Sequence, residues 1–162
     1  MISCFVVIAF AGCKKDGNST THLKIYLTDK PFTASEVNVD IQEVRVNLAN
    51  DSSGWMRINT NAGVYNLLDL QNGIDTVIAQ GVIPAGALKE VRFILGSDNS
   101  IKVDNTVYPL TIPSGSESGL KIKLNKQLNA TLDSLIIDFD AGLSIRQNGV
   151  GDYRLQPVLQ VR

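Results

Sequence analysis

The chain has 162 residues, a formal net charge of −1 and a sequence pI near 5.8. Its length allows one domain with a core that needs no metal or disulfide staple. The charge balance argues against a nucleic-acid binder, which carries a basic patch or stripe, and against a polybasic membrane-surface module.

The first element is the apolar run Met1–Gly12, closed by Phe10-Ala11-Gly12-Cys13. It is too short to cross a bilayer as a helix, which takes ~20 residues. It matches the h-region of a signal peptide, ~7–15 residues long. A cysteine after small residues at its end resembles the lipobox of a bacterial lipoprotein. Read this way, residues 1–12 are a removed signal, Cys13 carries lipid, and residues 13–21 are the lipidated cysteine with a polar tether. No Lys or Arg precedes the run, and Phe10 stands where such motifs carry Leu. The other reading is a buried first strand, Ile2–Phe10, but that run does not alternate. Cys4 and Cys13 are the only cysteines, so the body has no disulfide and no cysteine metal ligand.

From His22 the pattern has period two, the mark of half-buried strands. Leu23, Ile25 and Leu27 alternate with polar positions, as do Val37, Val39 and Ile41. The next apolar set, Val44, Val46 and Leu48, is out of phase by one residue. A β-bulge near Gln42-Glu43 would keep both halves facing the core. A short strand is expected at Trp55–Ile58. Leu67, Leu70, Ile74, Val77 and Ile78 fit a helical spacing and predict a short helix or 3-10 turn around Asp75–Gln80.

Asn72-Gly73 and Pro84-Ala85-Gly86 read as turns, and Val91–Leu95 as a strand. Asp104-Asn105 suits a primed hairpin turn between Ile101–Val103 and Thr106–Tyr108. Pro113–Gly119 reads as a loop that either binds a partner or merely connects. Beyond it, Leu120, Ile122 and Leu124 alternate with Lys121, Lys123 and Asn125, and Leu135, Ile137 and Phe139 with Ile136, Asp138 and Asp140. A last strand holds Tyr153, Leu155, Leu159 and Val161, with Pro157 demoting its middle to an edge or bulge. Many short alternating strands with little helix describe an all-β sandwich or barrel, with Lys121, Lys123 and Pro157 suited to protecting edges.

Several phrases in order carry a family resemblance: Leu27-Thr28-Asp29-Lys30-Pro31, Ile41-Gln42-Glu43-Val44-Arg45-Val46, Tyr65-Asn66-Leu67-Leu68-Asp69-Leu70, Ile83-Pro84-Ala85-Gly86, Tyr108-Pro109-Leu110-Thr111-Ile112-Pro113, Asp138-Phe139-Asp140-Ala141 and Leu155-Gln156-Pro157-Val158-Leu159. Together they resemble the DUF4382 family, a bacterial domain of unknown function often found in lipoproteins, notably of Bacteroidota. The likeness covers residues 22–162. It implies an immunoglobulin- or transthyretin-like antiparallel β-sandwich with at most one short helix, and it supplies no activity or functional residues.

The strongest chemical candidate is Asp138 with Asp140, two apart on one strand and therefore on one face. Such a pair needs a neighbouring cation or a raised pKa. It fits a Ca²⁺ site to which Asp29 contributes, since Ca²⁺ takes several oxygen ligands. The plainer reading, which the single strand's few ligands favour, is a solvated face or an ion pair with Lys121 or Lys123. A glycosidase acid and nucleophile is a third version. Trp55, the only tryptophan, reads as a core or edge residue rather than a sugar platform. His22, the only histidine, reads as a surface or first-strand residue, which leaves no base for a nucleophilic triad and no zinc set. Gly149-Val150-Gly151 reads as a turn.

The expectation is therefore a lipid-anchored, non-enzymatic β-sandwich of the cell envelope, acting in binding, adhesion or assembly. It would sit on either face of the outer membrane, with no catalytic residue, no nucleic-acid partner and a protein or glycan as its partner. The alternatives are a lipid-anchored glycan hydrolase using Asp138 and Asp140, and a Ca²⁺-stabilised structural module.

Overall fold

The structure, a computed structural model, describes residues 19–30, 34–112 and 119–162. Cys4, Cys13, the first part of the tether and the loop residues 113–118 lie outside the described residues. Among those described, the chain is all-β, with thirteen strands in one mixed sheet that curls over on itself. They are β1 (Thr20–Thr28), β2 (Glu36–Asn47), β3 (Trp55–Thr60), β4 (Gly63–Asn66), β5 (Thr76–Pro84), β6 (Ala87–Leu95), β7 (Ser100–Val103), β8 (Thr106–Thr111), β9 (Leu120–Gln127), β10 (Thr131–Phe139), β11 (Ile145–Gly149), β12 (Asp152–Leu155) and β13 (Leu159–Val161). Among the described residues helix is confined to 3-10 turns at Ser52–Gly54 and Leu67–Leu70 and to the four-residue α1, Ala141–Ser144.

One limb of the sheet runs β5-β1-β10-β13 and the other β9-β6-β2, extended through β7 and β8 to the β11-β12 hairpin. β3 joins the limbs, pairing with β2 over Trp55–Ile58 and with β5 at Asn59 and Thr60. The curl closes the inner faces onto one core. Leu23, Ile25 and Leu27 of β1, Val44 and Val46 of β2, Phe93 of β6, and Leu135, Ile137 and Phe139 of β10 all belong to it.

The bulge falls where the phase slip puts it. β2 shifts register against β6 between Ile41 and Glu43, and Ile41 and Val44 are both fully buried. Asp104 and Asn105 both take positive φ, as a primed hairpin turn requires, and so do Asn72 and Gly73. Pro157, lacking an N–H, lies between β12 and β13, and β13 pairs with β10 instead of β8.

Two expectations are corrected. The sheet is mixed, not antiparallel throughout: β1 runs parallel to β10 over eight residues, and β12 parallel to β8. The helical spacing across 75–80 misleads, because from Thr76 on that segment belongs to β5. There Ile78 and Ala79 are both buried at a register shift against β1, between Ile25 and Tyr26. Two adjacent buried residues break the alternation that marks a strand.

Candidate functional site

The last residue of β1, Thr28, stands in register with Asp138 of β10, and Asp138 with Gln160 of β13. The chain leaving β1 therefore lays Asp29 and Lys30 beside the end of β10. Asp140, which follows β10, caps α1: its Oδ1 accepts the Leu143 N–H at 3.0 Å. The fold thus places Asp29, Asp138 and Asp140 in one corner. It also brings cations that the sequence reading passed over.

Lys30 Nζ donates to Asp140 Oδ2 at 3.0 Å and lies 3.9 Å from Asp138 Oδ2. It also donates to Gln160 Oε1 at 3.3 Å. Arg162 reaches Asp138 Oδ2 at 2.6 Å. Asp138 is fully buried, and apart from these ion pairs neither of its oxygens has a hydrogen-bond partner among the described residues. Asp29 Oδ1 accepts the Ala141 N–H at 2.9 Å and Oδ2 accepts from Gln71 Nε2 at 3.3 Å. Lys121 and Lys123, the cations suggested by alternation, are on β9 in the other limb. Lys30 was visible in the sequence only as the neighbour of Asp29, and Arg162 only through the pairing of β13.

The two flanking carboxyls respond oppositely. Burial raises Asp29, the Asp138 charge adds to the rise, and hydrogen bonds from Ala141, Gln71 and the Lys30 backbone only partly offset it. Burial raises Asp140 too, but the Leu143 amide and Lys30 outweigh it and hold the carboxyl below its usual value. A lowered carboxyl contributes stability that is present above the ordinary carboxylate pKa and lost as pH falls through the folded value. A raised one contributes stability that is lost as pH rises through the folded value. Asp140→Asn keeps an oxygen for the Leu143 N–H and is expected to cost about 1 kcal/mol at pH 7, because Lys30 is partly exposed and screened. Asp29→Asn is expected to stabilise the fold at pH 7. Urea denaturation at pH 7 and pH 3 checks both, with each difference shrinking in acid.

Among the described residues no group of three or more His, Cys, Asp or Glu side chains is disposed to hold a metal ion. Ca²⁺ takes six to eight oxygen ligands. Here Asp29 spends both oxygens on Ala141 and Gln71, Asp140 spends one on Leu143, and the Lys30 ammonium takes the position between Asp138 and Asp140. The Lys30 ammonium thus stands where a cation shared by Asp138 and Asp140 would sit.

The other candidates are placed plainly. His22 is exposed on β1. Trp55 is half-buried on the outer face of β3, with the Arg92 guanidinium 4.0 Å over its ring. Gly149-Val150-Gly151 is the turn between β11 and β12. Elsewhere, Asp133 accepts from the Asn129 and Ser134 amides and pairs with Lys126 at 3.0 Å.

A family model for a domain of unknown function, DUF4382, matches residues 20–157, from the start of β1 to the proline after β12. The chain belongs to the DUF4382 family. Comparison with curated proteins finds no match, and comparison with solved structures finds none. In this DUF4382 domain the family match includes Asp29, Lys30, Asp138 and Asp140 and stops before Gln160 and Arg162.

Proposed function

We propose that this DUF4382 domain is a lipid-anchored, non-enzymatic module of the cell envelope that works by binding. The observation that carries this reading is Cys13, closing an apolar run and standing seven residues before Thr20, where β1 begins. An extended segment of that length spans at most about 25 Å. Lipid on Cys13 would therefore hold the Thr20 end of β1 within about that distance of a membrane. Firm attachment takes more than one acyl chain, as the lipidated cysteine of such proteins supplies.

The state of the acidic cluster supports a non-enzymatic role. A glycosidase pair needs one protonated acid and one carboxylate, both able to reach a sugar. Asp138 is fully buried and Asp140 is held ionised between Lys30 and the α1 cap. These carboxylates tie β1, β10, α1 and β13 into one corner.

The anchor is tested by metabolic labelling with a fatty acid. Wild-type protein is expected to take up label and sediment with membranes, and Cys13→Ala to do neither. Label that persists in the variant refutes the anchor.

A further inference from the structure

The sheet formed by β3, β2, β6 and β9 carries an unusual outer face. Arg57 of β3 is the register partner of Arg45 on β2, Arg45 of Arg92 on β6, and Arg92 of Lys121 on β9. Direct partners project from the same face, and the flanking Val44, Val46, Val91 and Phe93 are fully buried on the other. Four cations therefore stand in one line across four adjacent strands, over roughly 14 Å at the usual strand spacing. One carboxylate serves two of them: Glu43 takes the Arg45 guanidinium and, at 3.1 Å, that of Arg57. Among the described residues no carboxylate pairs with Arg92 or Lys121. The Arg92 guanidinium lies over Trp55. Beside the row, Lys89, Glu90, Lys123 and Asn125 help to line an open groove of about 320 Å³.

Like charges placed directly opposite each other weaken a sheet, and this row repeats that arrangement three times. Composition hides it, because the chain's net charge is −1. We infer that the row is a binding face for a linear acidic polysaccharide, whose carboxylate or sulfate groups meet Arg57, Arg45, Arg92 and Lys121 in turn while the chain continues into the groove at Lys123. Guanidinium forks match such oxyanions in paired hydrogen bonds.

Single-stranded nucleic acid fits less well, since it needs aromatic faces for its bases and the Trp55 face is covered by Arg92. An anionic bilayer also fits less well. The exposed large apolar side chains among the described residues, such as Val82, Leu132 and Leu143, all lie off these four strands. The inference does not depend on a lipid on Cys13, so the two can fail separately.

The test is retention of the protein on immobilised polygalacturonate and dextran sulfate, compared with neutral dextran, a single-stranded oligonucleotide and phosphatidylglycerol vesicles. The expected result is retention on the two acidic polysaccharides alone, weakening as salt rises. Lys121→Glu is expected to weaken it about tenfold or more while raising thermal stability, because the new carboxylate faces Arg92. Lys24→Glu makes the same change in net charge on the outer face of β1 and is expected to leave retention intact. The inference is overturned by no retention on either polysaccharide, by equal loss in both variants, or by tighter binding to the oligonucleotide or the vesicles.

Discussion

Replacing Lys30 and Arg162 together by Met is expected to cost about 2–3 kcal/mol of stability at neutral pH. Asp138 is fully buried, and these two cations are the only ones that pair with it among the described residues. Removing one side of a buried pair typically costs about 3–5 kcal/mol, because a charge is left without compensation. The figure here is lower because Lys30 and Arg162 are 37% and 49% exposed at their side chains, and water screens part of their field. Adding Asp138→Leu to the double variant is expected to recover the part of the loss that comes from Asp138, since that carboxylate and both of its cations are then exchanged for apolar contact, while Asp140 stays without Lys30. Urea denaturation of the three proteins measures both steps. A double variant within about 0.5 kcal/mol of wild type would show that the corner is held by packing alone.

Phe139→Ala is expected to cost about 3–5 kcal/mol, the range for emptying an aromatic site in a closed core. Phe139 is fully buried at the end of β10, opposite Leu159 of β13, and its neighbours Asp138 and Asp140 hold the polar side of the same corner. The loss should appear as a lower urea midpoint with an unchanged slope, corresponding to a drop in Tm of roughly 10 °C. Phe139→Leu should cost well under half as much. Near-equal effects of the two substitutions would mean that the site collapses around the smaller side chain.

Much of this architecture was legible as alternation. The bulge at Gln42-Glu43 could be read because three apolar residues on either side disagree in phase, and only one inserted residue reconciles them. The Asp104-Asn105 turn could be read because both residue types tolerate positive φ. Segment 75–80 could not, because Ile74, Val77 and Ile78 imitate a helical period, and the burial of the adjacent Ile78 and Ala79 breaks the alternation of a strand.

The parallel partnership of β1 with β10 leaves no local mark at all. Of the acidic corner, the carboxylates were legible from their spacing, whereas their cations arrive from the residues that follow β1 and β13. The line of Arg57, Arg45, Arg92 and Lys121 was invisible for the same reason: register decides it, and the chain's overall charge conceals it.

The parallel pairing of β1 with β10 bears on how the chain comes to be folded. Thr21 waits for Thr131, and Leu27 for Ile137. The strand that leads the domain out of any channel reaches one of its two neighbours only when nearly the whole domain has followed it. Contacts so distant along the chain make folding slow, since loop entropy is spent before they form. Until β10 arrives, Leu23, Ile25 and Leu27 offer an alternating apolar face and an unpaired strand edge. That interval is when this sequence is most open to aggregation and most in need of a chaperone.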